Sequence, residues 1–422
     1  MREMKDSGIE WIGAIPQDWQ LSKIGSLYTQ RNEKVSDKDY QPLSVTMQGI
    51  LPQLATAAKT DDGDNRKLVR VGDFAINSRS DRRGSCGISP LDGSVSLINI
   101  ILTPRTAMHP GYYNWLFHTT LFADEFYKWG HGIVADLWTT RWQEMKSITV
   151  PVPEYAEQER IAAFLDAECA EIDTVLEKTR ASIEEYKKLK QAVITQAVTK
   201  GIRGDRPMKD SGIEWIGEIP AGVPISRVGL HFDIVLGKML CSAPVDDNYT
   251  LESYYCAADV HFEGLSNGEK KKMWFSPDEK EQYCVKSGDL LVVEGGAGAG
   301  GCAIAVSTDV PIYIQNSIMI VRSKGISNIR YLRYLLECLV KKGYIDVVCN
   351  KATIPHFTKD KLANVPFIVF SQSEQEEIAE YLNEKCAGID ALIAKKQQYL
   401  TEIENYKKSL IYEYVTGKKE VV

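Results

Sequence analysis

The chain has 422 residues, an apolar fraction of 44% and a net charge of −7, ordinary values for a globular protein with two or three hydrophobic cores. No apolar run reaches the roughly 18–20 residues of a membrane span, and the N-terminus lacks an apolar signal region, so we expect a cytosolic protein. The nine cysteines include no C-x-x-C pair. We therefore expect reduced core thiols rather than disulfides or a zinc site.

The negative charge is unevenly distributed along the sequence. Residues 17–153 carry 15 basic and 14 acidic side chains, and residues 221–368 carry 16 of each. Residues 154–200 and 369–422 each carry 7 basic and 10 acidic side chains. We call residues 17–153 the first body and residues 221–368 the second body. Both bodies are therefore close to neutral. Contact with nucleic acid would then depend on local basic patches and on a partner that supplies phosphate contacts.

The sequence opens with a marker segment that occurs twice. Residues 4–16 read M-K-D-S-G-I-E-W-I-G-A-I-P, and residues 208–220 differ from them only in having Glu218 in place of Ala14. The glycines and the final proline predict an extended or turn segment, which Trp11 and Trp215 would anchor to the rest of the protein. The repeat period is half the chain, which is too long for a solenoid repeat and indicates two domain-sized halves.

The first body is predicted to have mixed α/β structure. Apolar runs at 68–78 and 94–104 predict strands, and residues 111–129 predict one helix. Gly72-Asp73 and Cys86 lie at positions that recur in the second body.

The second body repeats this order. Residues 284–296 and 312–323 predict strands, and residues 328–343 predict a helix. Gly288-Asp289 and Cys302 align with the glycine, aspartate and cysteine of the first body. Asn267-Gly268 predicts a hairpin turn.

A long helix is predicted after each body, over 154–200 and 369–422. Related sequences open both helices, E-Q-E-R-I-A-A-F-L-D at 157–166 and E-Q-E-E-I-A-E-Y-L-N at 374–383. Ser373-x-x-Glu376 predicts a capping box at the start of the second helix. Gly201 and Gly417 are the predicted helix ends.

Both helices carry a heptad stripe, with residues at alternating steps of four and three. Its members are Leu165, Cys169, Ile172, Leu176, Thr179, Ile183, Tyr186, Lys190, Val193 and Ala197 in the first helix, and Leu382, Cys386, Ile389, Ile393, Lys396, Leu400, Ile403, Lys407, Leu410 and Tyr414 in the second. Neither helix can bury this stripe alone, so we expect the two to form an antiparallel coiled coil. The alternative is that each helix packs on its own body.

The helices also suggest an irregularity. The spacing from Tyr186 to Tyr406 is three positions longer than the spacing from Ile172 to Ile389. This difference predicts a three-residue shift between the late parts of the two helices.

In its repeated markers and helix entries the chain resembles the specificity (S) subunits of type I restriction-modification systems. The matching elements are the D-S-G-I-E-W-I-G-x-I-P marker, the Pro-containing strand ends, the E-Q-x-x-I-A-x-[FY]-L helix entries and the late Tyr-Lys-Lys triplets at 186–188 and 406–408. They occur in order over the whole chain. The predicted recognition domains are residues 17–153 and 221–368, and the predicted long helices are residues 154–200 and 369–422. The first marker lies in residues 1–16, and the second lies in a linker at residues 201–220.

The resemblance implies a non-catalytic subunit that recognises double-stranded DNA. Each of two recognition domains would read one half of a bipartite, asymmetric site, while the coiled coil sets the spacer and binds two methyltransferase subunits. Two motor-nuclease subunits would add restriction. S-adenosylmethionine, ATP and magnesium would be bound by those other subunits, with no cofactor on this chain. Because the two bodies differ, the expected site is not palindromic.

Loop residues near the ends of the predicted strands are the candidate DNA contacts, since arginine binds guanine in a bidentate manner, and hydroxyl and basic groups grip phosphate. In the first body they are Ser78, Arg79, Ser80, Arg82, Arg83, Thr139, Thr140 and Arg141. In the second body they are Lys270, Lys271, Lys272, Gly298, Gly300, Lys351, His356 and Lys359.

Other interpretations of these residues are weaker or remain open. Gly296, Gly298 and Gly301 form a G-x-G-x-x-G pattern, but a β-like, Pro-containing segment follows it where a dinucleotide site needs a helix. Each candidate DNA contact is otherwise a solvated loop residue. For the whole chain, the alternatives are a coiled-coil scaffold with two protein- or ligand-binding lobes and an autonomous enzyme with two active lobes.

Overall fold

A computed structural model of the chain describes residues 2–54, 63–132, 138–349 and 355–421. The chain forms two compact units. Unit 1 is Met1–Ala181 with Gln397–Val422, and unit 2 is Ser182–Lys396. Each unit therefore holds one body and one half of each long helix.

The first half of the chain runs through short strands and helices into one long helix. Its elements are β1 (Met4–Asp6), β2 (Ala14–Pro16), β3 (Gln20–Lys23), α1 (Ile24–Leu27), β4 (Tyr28–Arg31), β5 (Lys34–Val35), β6 (Leu43–Thr46), β7 (Gly49–Pro52), β8 (Arg66–Val69), β9 (Phe74–Asn77), β10 (Cys86–Ile88), β11 (Gly93–Val95), β12 (Asn99–Pro104), α2 (Pro110–Phe117), α3 (Thr120–Lys128), α4 (Trp142–Met145), β13 (Thr149–Val152) and α5 (Tyr155–Lys200).

The second half follows the same plan. Its elements are β14 (Met208–Asp210), β15 (Glu218–Pro220), β16 (Ile225–Arg227), α6 (Val228–His231), β17 (Phe232–Leu236), β18 (Thr250–Tyr255), β19 (Val260–His261), β20 (Gly264–Leu265), β21 (Lys271–Phe275), α7 (Pro277–Tyr283), β22 (Leu290–Val293), β23 (Cys302–Ile304), β24 (Tyr313–Ile314), β25 (Ile318–Ser323), α8 (Ile329–Lys341), α9 (Tyr344–Val348), α10 (Lys359–Ala363), β26 (Pro366–Ile368) and α11 (Gln372–Val415).

Each body is built on a four-stranded antiparallel sheet. The strand order is β10-β9-β12-β4 in the first body and, correspondingly, β23-β22-β25-β17 in the second. A three-stranded sheet accompanies each, β11-β8-β5 and β21-β18-β24. Helices α2 and α8 supply fully buried side chains to the main hydrophobic core of their unit. The predicted pair of mixed α/β domains is confirmed.

The two marker segments fold as β-hairpins with the same register. Met4 pairs with Pro16 in the first hairpin, and Met208 pairs with Pro220 in the second. The Trp11 ring lies 5.9 Å from that of Phe122 in the first core, and Trp215 packs against the core of unit 2. The markers are extended and anchored by their tryptophans, as predicted.

In unit 1 the start of α5 packs against the end of α11. Lys407 binds Asp173 with an Nζ–Oδ1 distance of 2.6 Å, and Arg180 binds Glu404 at 2.6 Å. Residue numbers rise along one helix as they fall along the other, so the two segments are antiparallel. In unit 2 the other halves pair in the same way.

The ion pair in unit 2 corrects the predicted shift within the helices. Lys190 binds Asp390 at 2.7 Å. Lys190 precedes Lys407 by the same spacing as Asp173 precedes Asp390, and this is also the spacing of the helix entries. The offset of the entries therefore persists to the late heptads, and the three-residue shift is wrong. We call the contact between the two heptad stripes the seam. Tyr186 lies half-buried on the seam, whereas Tyr406 is 54% exposed, so the two tyrosines are not equivalent.

The repeated E-Q at each helix entry joins helix to body. Gln158 is buried; its amide donates to the Pro153 carbonyl at 2.8 Å, and its Oε1 accepts from the backbone N–H that precedes α2 at 2.8 Å. Gln375 makes the same two bonds, at 2.7 and 2.8 Å, beside α8. A buried amide that satisfies two backbone groups fixes the angle between helix and body.

Three further local predictions are wrong. The helix predicted over 111–129 is two helices, because the Thr119 hydroxyl accepts from the Phe122 N–H at 3.2 Å and starts α3. The cap of α11 is Ser371, whose hydroxyl accepts from the N–H of Glu374 at 3.3 Å, rather than Ser373. Asn267-Gly268 joins β20 to β21, which do not pair with each other, so it is not a hairpin turn. In the described ranges no helix has both the length and the apolar character that crossing a membrane requires.

Candidate nucleic-acid interface

In the first body, the loop after β9 and the segment before α4 lie side by side. The N–H of Thr140 donates to the Ser78 carbonyl at 2.9 Å, and the N–H of Ser80 donates to the Trp138 carbonyl at 2.9 Å. These bonds bring together two segments that are distant in sequence and that both hold predicted contacts. We call the surface between them cleft 1.

The second body repeats this backbone arrangement. The N–H of Phe357 donates to the Glu294 carbonyl at 2.6 Å, and the N–H of Gly296 donates to the Pro355 carbonyl at 3.1 Å. The loop after β22 therefore lies beside the segment before α10, and we call this surface cleft 2. The two clefts share a frame but carry different side chains.

Cleft 1 is a groove of about 320 Å³ with two exposed arginines. Neither Arg79 nor Arg141 has a carboxylate partner within the described ranges. The groove is lined by Gln30, Lys67, Ser78, Arg79, Leu97, Ile98, Ile100, Thr139, Thr140, Arg141 and Trp142. The combination of two unpaired guanidinium groups with an amide and exposed apolar side chains suits contact with phosphates and base edges.

The other predicted residues of cleft 1 are already engaged. Ser78 and Thr140 are buried, and their hydroxyls donate to the Ile98 carbonyl at 2.5 Å and the Phe126 carbonyl at 2.9 Å. Arg83 is paired with Asp124, and Arg82 lies 3.9 Å from Asp81. Thr139 forms a β-bridge with Arg79, and Ser80 begins a short helical turn.

Cleft 2 contains an acid and a histidine where cleft 1 has a serine and a threonine. Glu294 is 17% exposed at its side chain, and its Oε2 lies 3.4 Å from Nδ1 of His356. Gly298 is exposed in the loop after β22, and Lys359 is exposed at the start of α10. Gly300 is buried with φ +82°, and a Cβ there would lie 2.8 Å from Ile345, so its role is internal packing rather than approach to DNA.

The three consecutive lysines at 270–272 of the second body differ in their surroundings. Lys270 folds inward, 3.1 Å from Asp259 and over the ring of Tyr255, so it stabilises the body. Lys271 and Lys272 are exposed on the edge strand β21. Lys351 lies outside the described residues.

Sequence reasoning missed Gln30 and Lys67, which line cleft 1 from strands β4 and β8. Gln30 accepts a hydrogen bond from the Asn32 amide at 3.1 Å through its Oε1. Lys67 donates to the Asn99 carbonyl at 2.6 Å, and burial lowers the pKa of its ammonium group. Neither residue lies in a repeated motif or next to the strand-end loops on which the prediction was based, and the charged run around Lys67 contains acidic and basic residues alike.

Each unit therefore combines an α/β body that carries one of the two matched clefts with paired segments of the long helices. Residues 263–404, about a third of the chain, match the model of the "Type I restriction modification DNA specificity domain". That segment is similar to this family, and the resemblance drawn from the repeated motifs is confirmed. Comparison with curated proteins gives no match.

Two solved structures share the fold over nearly the whole chain. One comes from work described as the "structural basis underlying complex assembly and conformational transition of the type I R-M system". It has a TM-score of 0.75 and 16% identity, and covers 96% of this chain and 99% of that chain. The HsdS subunit from Thermoanaerobacter tengcongensis has a TM-score of 0.55 and 17% identity, and covers 96% and 98%. At such identities the likeness concerns the fold.

Proposed function

We propose that this chain reads a bipartite, asymmetric DNA site, with cleft 1 on one half-site and cleft 2 on the other. The observation that carries the proposal is the shared backbone frame with unlike side chains. Cleft 1 offers arginine and glutamine, whereas cleft 2 offers glutamate, histidine and a glycine loop. Arginine suits guanine, and a carboxylate accepts from the cytosine amino group, so the two clefts favour different bases.

Replacement of Arg79 by alanine tests the role of cleft 1. We expect DNA affinity to fall by about 1–3 kcal/mol and the first half-site to lose discrimination at one position, while the second half-site is read as before. Methylation-motif sequencing in a host that carries the whole system, together with gel shift at two salt concentrations, measures both effects. Arg83→Ala is the control, because Arg83 lies in the same loop as Arg79 but is paired with Asp124 of α3. Unchanged affinity and an unchanged motif in the Arg79 variant would contradict the proposal.

We also propose that the paired helices bind the methyltransferase subunits. Four of the residues that follow a seam residue by one position take part in the interhelical ion pairs, and we call them the charged flank. They are Asp173, Arg180, Asp390 and Glu404. Five of the residues that precede a seam residue by one position are exposed and apolar, whereas others at such positions, including Glu168, Glu185 and Lys385, are charged. The five, which we call the apolar flank, are Val175, Leu189, Leu392, Tyr399 and Tyr406. Because helical residues are spaced by about 100°, these sets flank opposite sides of the seam. The apolar flank is open to a partner, whereas the charged flank is closed by the chain itself.

Leu392→Glu should weaken methyltransferase binding by about tenfold or more, because a charge would enter an apolar interface. Ala391→Glu adds the same charge one position away, on an exposed site that faces outward from the seam, and should bind like wild type. Isothermal titration with the purified methyltransferase subunit distinguishes them. Equal affinities of the two variants would exclude the apolar flank as the docking surface.

The catalytic steps belong, in this proposal, to other subunits. Methyl transfer from S-adenosylmethionine would occur on the methyltransferase subunits, and ATP and magnesium would serve the motor-nuclease subunits. The chain described here contributes site selection and the spacing of the partners. Its own expected activity is therefore DNA binding in the assembled complex.

A further inference from the structure

A third segment, the turn of residues 96–99 at the start of β12, completes cleft 1. Its last N–H donates to its first carbonyl at 3.1 Å and closes the turn. The carbonyl of Ile98 accepts from the N–H of Ser78 at 3.3 Å and from the Ser78 hydroxyl at 2.5 Å. These bonds tie the turn to the loop that carries Arg79, so Leu97 and Ile98, at the tip of the turn, line the same groove as that arginine.

The second body has the same turn at the start of β25, with polar side chains at its tip. The carbonyl of Ser317 accepts from the N–H of Glu294 at 2.8 Å, and a backbone bond of 2.9 Å closes the turn. Its two tip residues, Asn316 and Ser317, therefore correspond to the two tip residues of cleft 1. The Ser317 hydroxyl accepts from a backbone N–H of the same body at 3.0 Å, so this tip is bound within its own body.

Folding does not account for the apolar tip in cleft 1. Leu97 is 39% exposed and Ile98 is 38% exposed, and neither belongs to a hydrophobic core within the described ranges. Surface turns usually carry glycine, proline, asparagine, aspartate or serine, as the second body does at this place. Two exposed apolar side chains in a groove suited to phosphates and base edges indicate a contact that forms only with a ligand.

The charge of cleft 1 indicates what that ligand is. Among the described residues that line the groove, Lys67, Arg79 and Arg141 are basic and none is acidic. A cationic groove of this kind attracts a polyanion. In double-stranded DNA, the group that offers apolar surface at a base edge is the C5-methyl of thymine, which lies in the major groove together with the acceptors that arginine binds.

We propose that Leu97 and Ile98 contact a thymine methyl group and so make cleft 1 selective for an A·T pair in the half-site that Arg79 reads. The inference rests on the proposed reading of DNA by cleft 1. Discrimination comes from packing, because thymine carries the C5-methyl group and cytosine and uracil lack it. The corresponding tip in cleft 2 has no apolar side chain, so it cannot make this contact.

Replacement of single thymines by deoxyuridine tests this contact in the wild-type protein, because it removes one methyl group and leaves base pairing unchanged. The full chain is assembled with its methyltransferase subunit, and its affinity is measured on duplexes that carry the motif found by methylation-motif sequencing. At one or two thymines of the half-site altered by Arg79→Ala, uracil should weaken binding about fourfold, the effect of losing one buried methyl group.

The double variant Leu97→Asn/Ile98→Ser gives cleft 1 the tip that the second body has. It should bind the thymine and uracil duplexes with equal affinity and keep the melting temperature of wild type, since both side chains are exposed. Leu91→Asn is the matched control: Leu91 is 37% exposed in the same body but lies outside cleft 1, so this variant should keep the preference for thymine. Should the double variant lose stability, the two single variants are measured, and retention of the full preference by both overturns the assignment to this turn.

The outcomes separate this inference from the function on which it rests. If the wild-type complex shows no sequence preference, or Arg79→Ala leaves the motif unchanged, the proposed function fails. If the motif depends on Arg79 but that half-site contains no A·T pair, or uracil is bound like thymine at every position, the thymine contact is excluded. Equal wild-type affinities for the two duplexes, with weaker binding of both by the double variant, would show that the tip inserts between base steps instead, and would overturn the proposal.

Discussion

Replacement of Trp19 by alanine is expected to lower the stability of unit 1 by about 3–5 kcal/mol, the usual cost of truncating a fully buried tryptophan. Trp19 is 1% exposed, and its ring lies 6.4 Å from that of Tyr112. Its indole N–H donates to Glu157 at 2.9 Å, and Arg2 binds the same carboxylate and lies over the indole ring. Truncation therefore opens a cavity and also removes a hydrogen bond from a half-buried ion pair.

Trp129 provides the matched control for this prediction. It belongs to the same unit and donates to Glu125 at 2.9 Å, but it is 42% exposed. Trp129→Ala should cost less than about 1 kcal/mol, as surface substitutions usually do. Urea denaturation followed by far-UV circular dichroism compares the two, and similar costs for both variants would show that Trp19 does not hold the marker, body and helix together.

The repeated frame of this protein was predictable because the same sequence occurs twice in the same role. The marker hairpins and the helix entries are closely similar in both copies, and each makes backbone contacts that tolerate little change, as the paired bonds of Gln158 and Gln375 illustrate. The seam followed from its heptad period. The ends of the helices followed from Gly201 and Gly417, both of which have φ near +70°.

Features that depend on tertiary contacts were not predictable in this way. Two overlapping Ser-x-x-Glu signals begin α11, and the choice of Ser371 goes with the ion pair that Glu374 makes with Arg206. Which loop cations are available for DNA is also a tertiary property. Lys270 and Arg79 look alike in sequence, but only Lys270 has a carboxylate within reach in the described part of the chain.

The aligned aspartates show how a shared position can have different partners. Asp73 is bound by Arg31 from β4 at 2.7 Å, whereas Asp289 is bound by Arg322 from β25 at 2.7 Å. The pairing is retained in both bodies, although the arginine comes from a different strand of the corresponding sheet. Comparison of the two halves aligns the acids but cannot identify the bases, because the contact crosses between strands.

The end of α11 should be as sensitive to one added methyl group as unit 1 is to the loss of the Trp19 side chain. Gly417 has φ +70°, and a Cβ there would lie 2.5 Å from Cδ and Cγ of Pro16 and 3.0 Å from the Trp19 ring. Gly417→Ala should therefore cost about 2–6 kcal/mol, since about 1–3 kcal/mol of backbone strain is added to about 1–3 kcal/mol of overpacking. The neighbouring atoms belong to a proline ring and a buried indole, so they cannot move aside as a flexible side chain would.

Gly8 separates the two contributions in the Gly417 variant. Its φ is +69°, in the same unit, but a Cβ there meets nothing within 4 Å, so Gly8→Ala should carry only the strain of about 1–3 kcal/mol. The difference between the two variants, measured by urea denaturation, reports the contact between the helix end and the first marker. If Gly417→Ala is no worse than Gly8→Ala, the end of α11 is not clamped against Pro16 and Trp19. Because the marker, helix end and body meet at this point, such a result would also remove the physical basis for treating the duplicated segments as the fixed frame on which cleft 1 is carried.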